Sequence, residues 1–139
     1  MSANPSSIQS TISKLRSYAS IDEDDLDMEC RRVPADFMRV ASSYAEAQRR
    51  SNEIKVRKDR VLAELDIEVR QMLQASGSKV TEAMVKARIA GDPRYGNVVM
   101  EEIEADSDSV LLKNGLVSLS IKKDMLVTLA ANRRNELNE

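Results

Sequence analysis

Residues 34–75 read PADFMRVASSYAEAQRRSNEIKVRKDRVLAELDIEVRQMLQA, and this stretch decides the fold. Residues that are three, four and seven positions apart lie on one face of an α-helix. The two series here are Phe37, Tyr44, Ser51, Lys58, Leu65 and Met72, and Val40, Ala47, Ile54 and Val61. We predict one helix that begins with Pro34 in its first turn. At roughly 60 Å it exceeds a small domain, so it must lie against another long helix or against copies of itself.

A second long helix is predicted after Pro93 by the series Val98, Ala105, Leu112, Leu119 and Leu126. Between the two helices, Gly77 is a candidate left-handed cap, and a short helix runs from Thr81 to Ala90. The final helix carries an apolar stripe too broad for a single neighbour, which predicts self-assembly. The residues predicted to form the oligomer interface are Leu112, Leu116, Leu119, Leu126 and Leu129. Gly115, inside this stripe, suits a close helix crossing.

Residues 1–33 are predicted to form an N-terminal arm, and residues 34–139 the helical oligomerisation and DNA-binding domain. The arm has a weak apolar stripe and an Asn4-Pro5 helix start, but a loose polar terminus is an equal alternative. The acidic segment Asp22–Glu29 suggests either a docking site for a basic partner or the solvated start of a short helix. The predicted fold class is all-α, with two long helices, a short intervening helix and a helical arm, assembling as an oligomeric helical bundle.

The composition argues against an enzyme. The chain of 139 residues has no His, one Cys and a net charge of −2. These exclude an ordinary zinc site, a histidine base and an intramolecular disulfide. No Gly-rich phosphate loop, membrane span or signal peptide is present, so we expect a cytoplasmic protein without cofactors, in the host cytoplasm if it is phage-encoded. Acidic pairs such as Glu101-Glu102 could bind Mg²⁺, although a solvated helix face is the commoner explanation.

A basic cluster in the first long helix is the best candidate for a nucleic-acid site. Its members are Arg49, Arg50, Lys55, Arg57, Lys58 and Arg60. Lys and Arg side chains contact phosphates without reading sequence. Intrahelical pairs of Glu46 with Arg50 and of Glu53 with Arg57 are the alternative explanation. Lys58 lies on the apolar seam between Ile54 and Leu62, where we predict no balancing acid.

The second half of the chain resembles the closing half of the UvsY family of phage recombination mediators. The stretch concerned is residues 81–134, TEAMVKARIAGDPRYGNVVMEEIEADSDSVLLKNGLVSLSIKKDMLVTLAANRR. The shared pattern is a basic long helix, a short helix ending at Asp92 and a final amphipathic helix ending in Arg133 and Arg134. The likeness covers helix order and patterning from about Asp36 to Arg134, and the acidic segment lies outside it.

The resemblance implies a homo-oligomeric ring that binds single-stranded DNA. It also implies loading of a RecA-like recombinase onto DNA covered by single-strand-binding protein. The family's DNA contacts correspond to the bases from Lys55 to Arg60, or to a position closer to Glu64. The alternative is a structural coiled-coil adaptor or scaffolding protein of a phage, without DNA-binding activity.

Overall fold

The structure, a computed structural model, describes residues 5–138 and is helical throughout its regular elements. The helices are α1 (Pro5–Ser13), α2 (Leu15–Ala19), α3 (Leu26–Ala75), α4 (Glu82–Ala90) and α5 (Pro93–Asn138), with a 3₁₀ turn at Glu23–Asp25 before α3. No strand occurs among the described residues. This confirms the all-α prediction of two long helices, a short intervening helix and a helical arm.

The first long helix begins earlier than predicted. α3 starts at Leu26, so Pro34 lies inside the helix rather than in its first turn. The start is capped by acids: Asp22 accepts a hydrogen bond from the Asp24 amide at 3.0 Å, and Asp25 accepts one from the Met28 amide at 3.4 Å. Pro34 removes only the hydrogen bond to the Cys30 carbonyl. Burial of Leu26 and Val33 against α5 holds the helix through that point.

The turn after α3 confirms the predicted glycine cap. Gly77 has φ of +74°, a left-handed conformation that glycine adopts without a side-chain clash. The Gly77 amide donates to the Gln74 carbonyl and the Ser78 amide to the Leu73 carbonyl, which together satisfy two exposed helix-end acceptors. Thr81 then caps α4, since its hydroxyl accepts from the Met84 amide at 3.2 Å.

Contacts divide the chain into two compact units. The terminal unit comprises residues up to Gln48 and from Ser107 onward, and the central unit comprises Arg49–Asp106. The predicted domain boundary between residues 33 and 34 therefore falls inside α3. In each unit, stretches of α3 and α5 lie side by side and antiparallel.

The core of the terminal unit is closed by the N-terminal helices. Ile8 is fully buried, together with Val40, Ala47, Leu112 and Leu119, and the partly buried Ile12, Leu15 and Tyr18 pack against them. The helical arm is therefore confirmed for the described residues. A Cβ on Gly115 would lie 2.6 Å from Leu15 Cδ2, so this glycine leaves room for the Leu15 side chain of α2.

The residues predicted to face the core are correct for α5 and partly wrong for α3. Val98, Ala105, Leu112, Leu119 and Leu126 are all buried, as predicted. In the first part of α3, Val40 and Ala47 are buried as predicted. The other predicted position, Phe37, is 37% exposed, and Asp36 and Ser43 are buried instead. The Ser43 and Thr11 hydroxyls, 2.8 Å apart, satisfy each other, so a polar residue fits this inward position.

Candidate nucleic-acid interface

The six predicted DNA-binding residues lie on one stretch of α3 in the central unit. Arg49, Lys55, Arg57 and Arg60 are exposed, whereas Arg50 and Lys58 are half-buried. Four of the six bases can therefore reach a phosphate without a change of the helix.

Lys58 has an acidic partner, so the prediction that no acid balances it is wrong. Its ammonium Nζ lies 2.9 Å from Glu102 Oε2, and both side chains are mostly covered, at 26% and 19% exposure. The hydrogen bond to Glu102 raises the pKa of Lys58 above its usual value. The lysine on the seam is thus explained by a partner on α5, 44 residues away in sequence.

Two further bases of the cluster are also paired with α5. Arg57 forms an ion pair with Glu101, and Lys55 Nζ lies 3.8 Å from Asp106 Oδ1. Asp106 in addition accepts a 2.5 Å hydrogen bond from Ser51, which is buried on the seam. Three bases of α3 therefore match three acids of α5, and these pairs agree with the register in which the two helices pack.

Sequence reasoning missed Glu101, Glu102 and Asp106 as partners of the basic cluster. For Glu101 and Glu102 the sequence suggests a metal pair or a solvated helix face instead. A usable signal was present, because residues 101–108 carry five acids and residues 49–60 carry six bases. Antiparallel pairing of the two predicted helices would bring such runs together. Among residues 5–138, no group of three or more His, Cys, Asp or Glu side chains is arranged to hold a metal ion.

A second group of bases lies near the C-terminus, and its members, Lys122, Lys123, Arg133 and Arg134, do not form one exposed basic surface. Lys122 is buried, with its side chain 2% exposed, and its Nζ lies 2.9 Å from Glu29 Oε2. Arg133 donates a 2.9 Å hydrogen bond to the Glu23 carbonyl. Lys123 and Arg134 are exposed. Lys122 therefore cannot contact DNA while the terminal unit is folded.

The residues predicted to form the oligomer interface lie in the chain's own core. Leu112, Leu119 and Leu126 are at most 2% exposed, and Leu116 and Leu129 pack partly buried against the same clusters. Their burial within one chain accounts for the inner seam of α5 without a second copy. The apolar residues that α5 exposes are different ones.

The acidic segment has two kinds of member. Asp22 and Glu29 serve the fold, as a cap and as the partner of Lys122. Asp24, Asp27 and the capping residue Asp25 line an open groove of about 1,090 Å³ in the terminal unit, whose walls include Phe37, Val127 and Leu137. Docking of a basic partner to this segment stays a prediction for these three carboxylates.

A second charged network, at the far end of the central unit, is centred on Arg94. Arg94 Nη2 lies 2.7 Å from Glu68 Oε2 and 3.1 Å from Asp92 Oδ2, and the Arg94 amide donates to Asp92 Oδ1 at 2.8 Å. The hydrogen bond from the Arg94 side chain lowers the pKa of Glu68, and the side-chain and backbone bonds of Arg94 lower that of Asp92. Both carboxylates are thus stabilised as anions.

These lowered pKa values predict acid sensitivity that depends on Arg94. A depressed folded-state pKa adds stability above the unfolded values of about 4.3 for Glu and 3.9 for Asp. That stability is lost as pH falls from there through the folded values. The wild-type protein should lose unfolding free energy between neutral pH and about pH 3, and Arg94→Gln should lose less over the same interval. Urea denaturation at each pH provides the measurement. Arg88→Gln on α4 is the matched control, and equal pH dependence of wild type and Arg94→Gln would contradict the assignment.

No helix among residues 5–138 combines the length and apolar character needed to cross a membrane. Comparison with protein-family models, curated proteins and solved structures finds no match to this chain.

Proposed function

We propose that this protein is a recombination mediator. It forms a homo-oligomer, binds single-stranded DNA and promotes loading of a RecA-like recombinase onto DNA covered by single-strand-binding protein. The resemblance from Asp36 to Arg134 to the UvsY family supports this proposal. The observation that carries it is the concentration of six bases between Arg49 and Arg60, four of them exposed.

The ion pairs of the cluster do not prevent contact with phosphate. The side chains of Lys55 and Asp106 are 52% and 48% exposed, and those of Arg57 and Glu101 are 49% and 44% exposed. Exposed pairs of this kind contribute about 0–1 kcal/mol and are screened by salt. A DNA phosphate can therefore replace the carboxylate, but the displaced acid stays nearby and opposes binding. We infer that the exposed Arg49 and Arg60 contribute more affinity than the paired bases.

This inference gives a test of the interface. We expect Arg49→Ala with Arg60→Ala to weaken binding of an oligothymidylate and to reduce the salt slope by about 1.4, since each single-strand phosphate contact contributes about 0.7. Glu101→Gln should strengthen binding, because it releases Arg57 and removes a repelling charge.

The matched control for that test is Lys86→Ala with Arg88→Ala. These bases are exposed on α4 of the same unit, and their removal changes the net charge equally. Affinity that falls as much in the control as in the Arg49 and Arg60 variant would show a diffuse charge effect and would contradict the assigned site.

Multivalency links binding to the proposed loading activity. One cluster binds DNA weakly, but two or more copies in an oligomer hold one strand at a high effective concentration. A strand organised in this way would favour recombinase nucleation by bringing its binding positions together. The functional test is filament assembly by the cognate recombinase on covered DNA, with and without this protein. Tight DNA binding without stimulation would contradict the mediator proposal.

The second candidate, a structural coiled-coil adaptor, is favoured by one specific observation. Lys55, Arg57 and Lys58 each match an acid on α5, and residues 49–106 carry eleven bases and eleven acids. In an adaptor these pairs would serve only to fix helix register. Absence of oligothymidylate binding at low salt would select this function over the mediator.

A further inference from the structure

Helix α5 is apolar on two opposite faces in the terminal unit, and only one of them is covered. The inner seam of Leu112, Leu119 and Leu126 is buried. At 100° per residue, a second set of apolar residues lies on the other side of the helix. Its members Val110, Leu111, Val117, Ile121 and Met125 are 44–57% exposed, and we call them the outer face. A helix that is apolar all round is ordinarily buried, so the outer face requires a partner.

The spacing of the outer face is that of a coiled-coil seam. Val110, Asn114, Val117 and Ile121 follow one another at spacings of four, three and four residues. This alternation is the spacing of a coiled-coil seam. Leu111, Ser118 and Met125 are also seven residues apart, and they lie along one side of this seam. A single polar residue such as Asn114 in an apolar seam restricts register and partner number. The pattern therefore fits another helix with matching periodicity.

We propose that the outer face of α5 pairs, antiparallel, with the outer face of a second copy of this chain. This pairing specifies an interface for the homo-oligomer, and it rests on the proposed function in taking a second copy as the partner. It does not depend on DNA binding. A two-fold interface of this kind uses the same patch on both copies. It is distinct from the leucine seam, which is buried within each chain.

The charges at the two ends of the outer face determine the orientation. Asp124 takes the next seam position because it follows Val117 by seven residues. Its side chain is 79% exposed. Parallel pairing would place Asp124 beside Asp124 of the second copy, which is unfavourable for like charges. Antiparallel pairing centred between residues 118 and 119 places Val117 opposite Ile121 of the second copy. It also brings Lys113 beside Asp124 of the second copy, and symmetry creates this opposite-charge contact twice.

The size of the face predicts a weak dimer. Five half-exposed apolar side chains offer roughly 400 Å² per copy, and with their polar flanks two copies bury on the order of 1,000 Å², near the lower limit for a specific interface. We therefore expect the dimer to dissociate in the micromolar range. Sedimentation should therefore be measured at micromolar protein concentrations and in the absence of DNA. A failure of dimerisation is then observed separately from a failure of DNA binding.

A charge exchange tests the orientation. Lys113→Glu and Asp124→Lys should each weaken the dimer about tenfold, because each creates like-charge contacts across the two-fold axis. The double variant should regain most of the wild-type affinity. Both positions are exposed, so the variants retain the core. A monomeric wild type over the whole range, or a double variant no better than either single one, would overturn the proposal.

Disulfide trapping distinguishes the two orientations directly. In a Cys30→Ser background, which removes the exposed native thiol, Ser118→Cys should form a disulfide-linked dimer under mild oxidation. Antiparallel pairing places the two copies of residue 118 beside each other, whereas parallel pairing places them on opposite sides of the seam. Asn114→Cys should cross-link only in a parallel pair. Cross-linking through residue 114 without cross-linking through residue 118 would overturn the antiparallel arrangement.

Discussion

Lys122→Met is expected to lower the unfolding free energy by about 3–5 kcal/mol, the usual cost of removing one partner of a buried ion pair. Lys122 and Glu29 have side chains that are 2% and 7% exposed, and they lie 2.9 Å apart. Lys122 also donates a 2.8 Å hydrogen bond to the Tyr18 carbonyl. One ammonium group therefore joins α2, α3 and α5 of the terminal unit, and its removal leaves a carboxylate in the core.

The remaining contacts of Glu29 offer little compensation. Its Oε2 accepts from the Asp22 amide at 3.3 Å, and Arg32 Nη1, on an exposed side chain, lies 3.9 Å from its Oε1. We expect Glu29→Met with Lys122→Met to recover part of the loss, since an apolar pair leaves no unpaired charge. Lys123→Met, at a 65% exposed neighbour, is the control and should change stability by less than about 0.5 kcal/mol. Urea denaturation at a fixed protomer concentration provides the measurement, and a Lys122→Met variant as stable as the control would contradict the buried pair.

Leu119→Asp is expected to destabilise the fold itself, by about 4 kcal/mol or more, rather than only separate subunits. Leu119 is 1% exposed and packs in the cluster that contains Ile8 and Val40. A carboxylate there has to be buried without a partner. Val117→Asp, two residues away and 54% exposed, is the matched control and should leave the unfolding free energy of the monomer almost unchanged.

The two substitutions therefore separate the two faces of α5. Thermal unfolding followed by circular dichroism reports the fold, and sedimentation reports the mass of the complex. We expect loss of fold for Leu119→Asp, and a folded monomer for Val117→Asp. A Leu119→Asp protein that is monomeric but as stable as wild type would show that the leucine seam is an intermolecular surface after all.

The sequence was sufficient for the main inward series of α5 because every member of that series is apolar. The sevenfold series from Val98 to Leu126 is buried at every member. In α3 the same pattern predicts Phe37 and Tyr44 as inward residues, whereas Asp36 and Ser43, one position earlier, are buried more deeply. Apolar pattern alone cannot identify an inward serine whose hydroxyl is satisfied by Thr11 from another helix.

The start of α3 and the partners of the basic cluster show a second limit. A proline ahead of a helical pattern usually marks a first turn, but the burial of Leu26 and Val33 depends on Leu126, distant in sequence. Likewise, the pairing of Lys58 with Glu102 depends on how two long helices are aligned. Local sequence predicted that both helices exist, whereas these contacts follow from their relative register.

The most direct test of the central claim is a titration of labelled oligothymidylate with the wild-type protein at several salt concentrations. If the cluster from Arg49 to Arg60 binds single-stranded DNA, the logarithm of affinity should fall linearly with the logarithm of salt. A slope near −3 would correspond to about four phosphate contacts, at about 0.7 each, one for each exposed base. Absence of binding at low salt, or binding that salt does not weaken, would contradict the account.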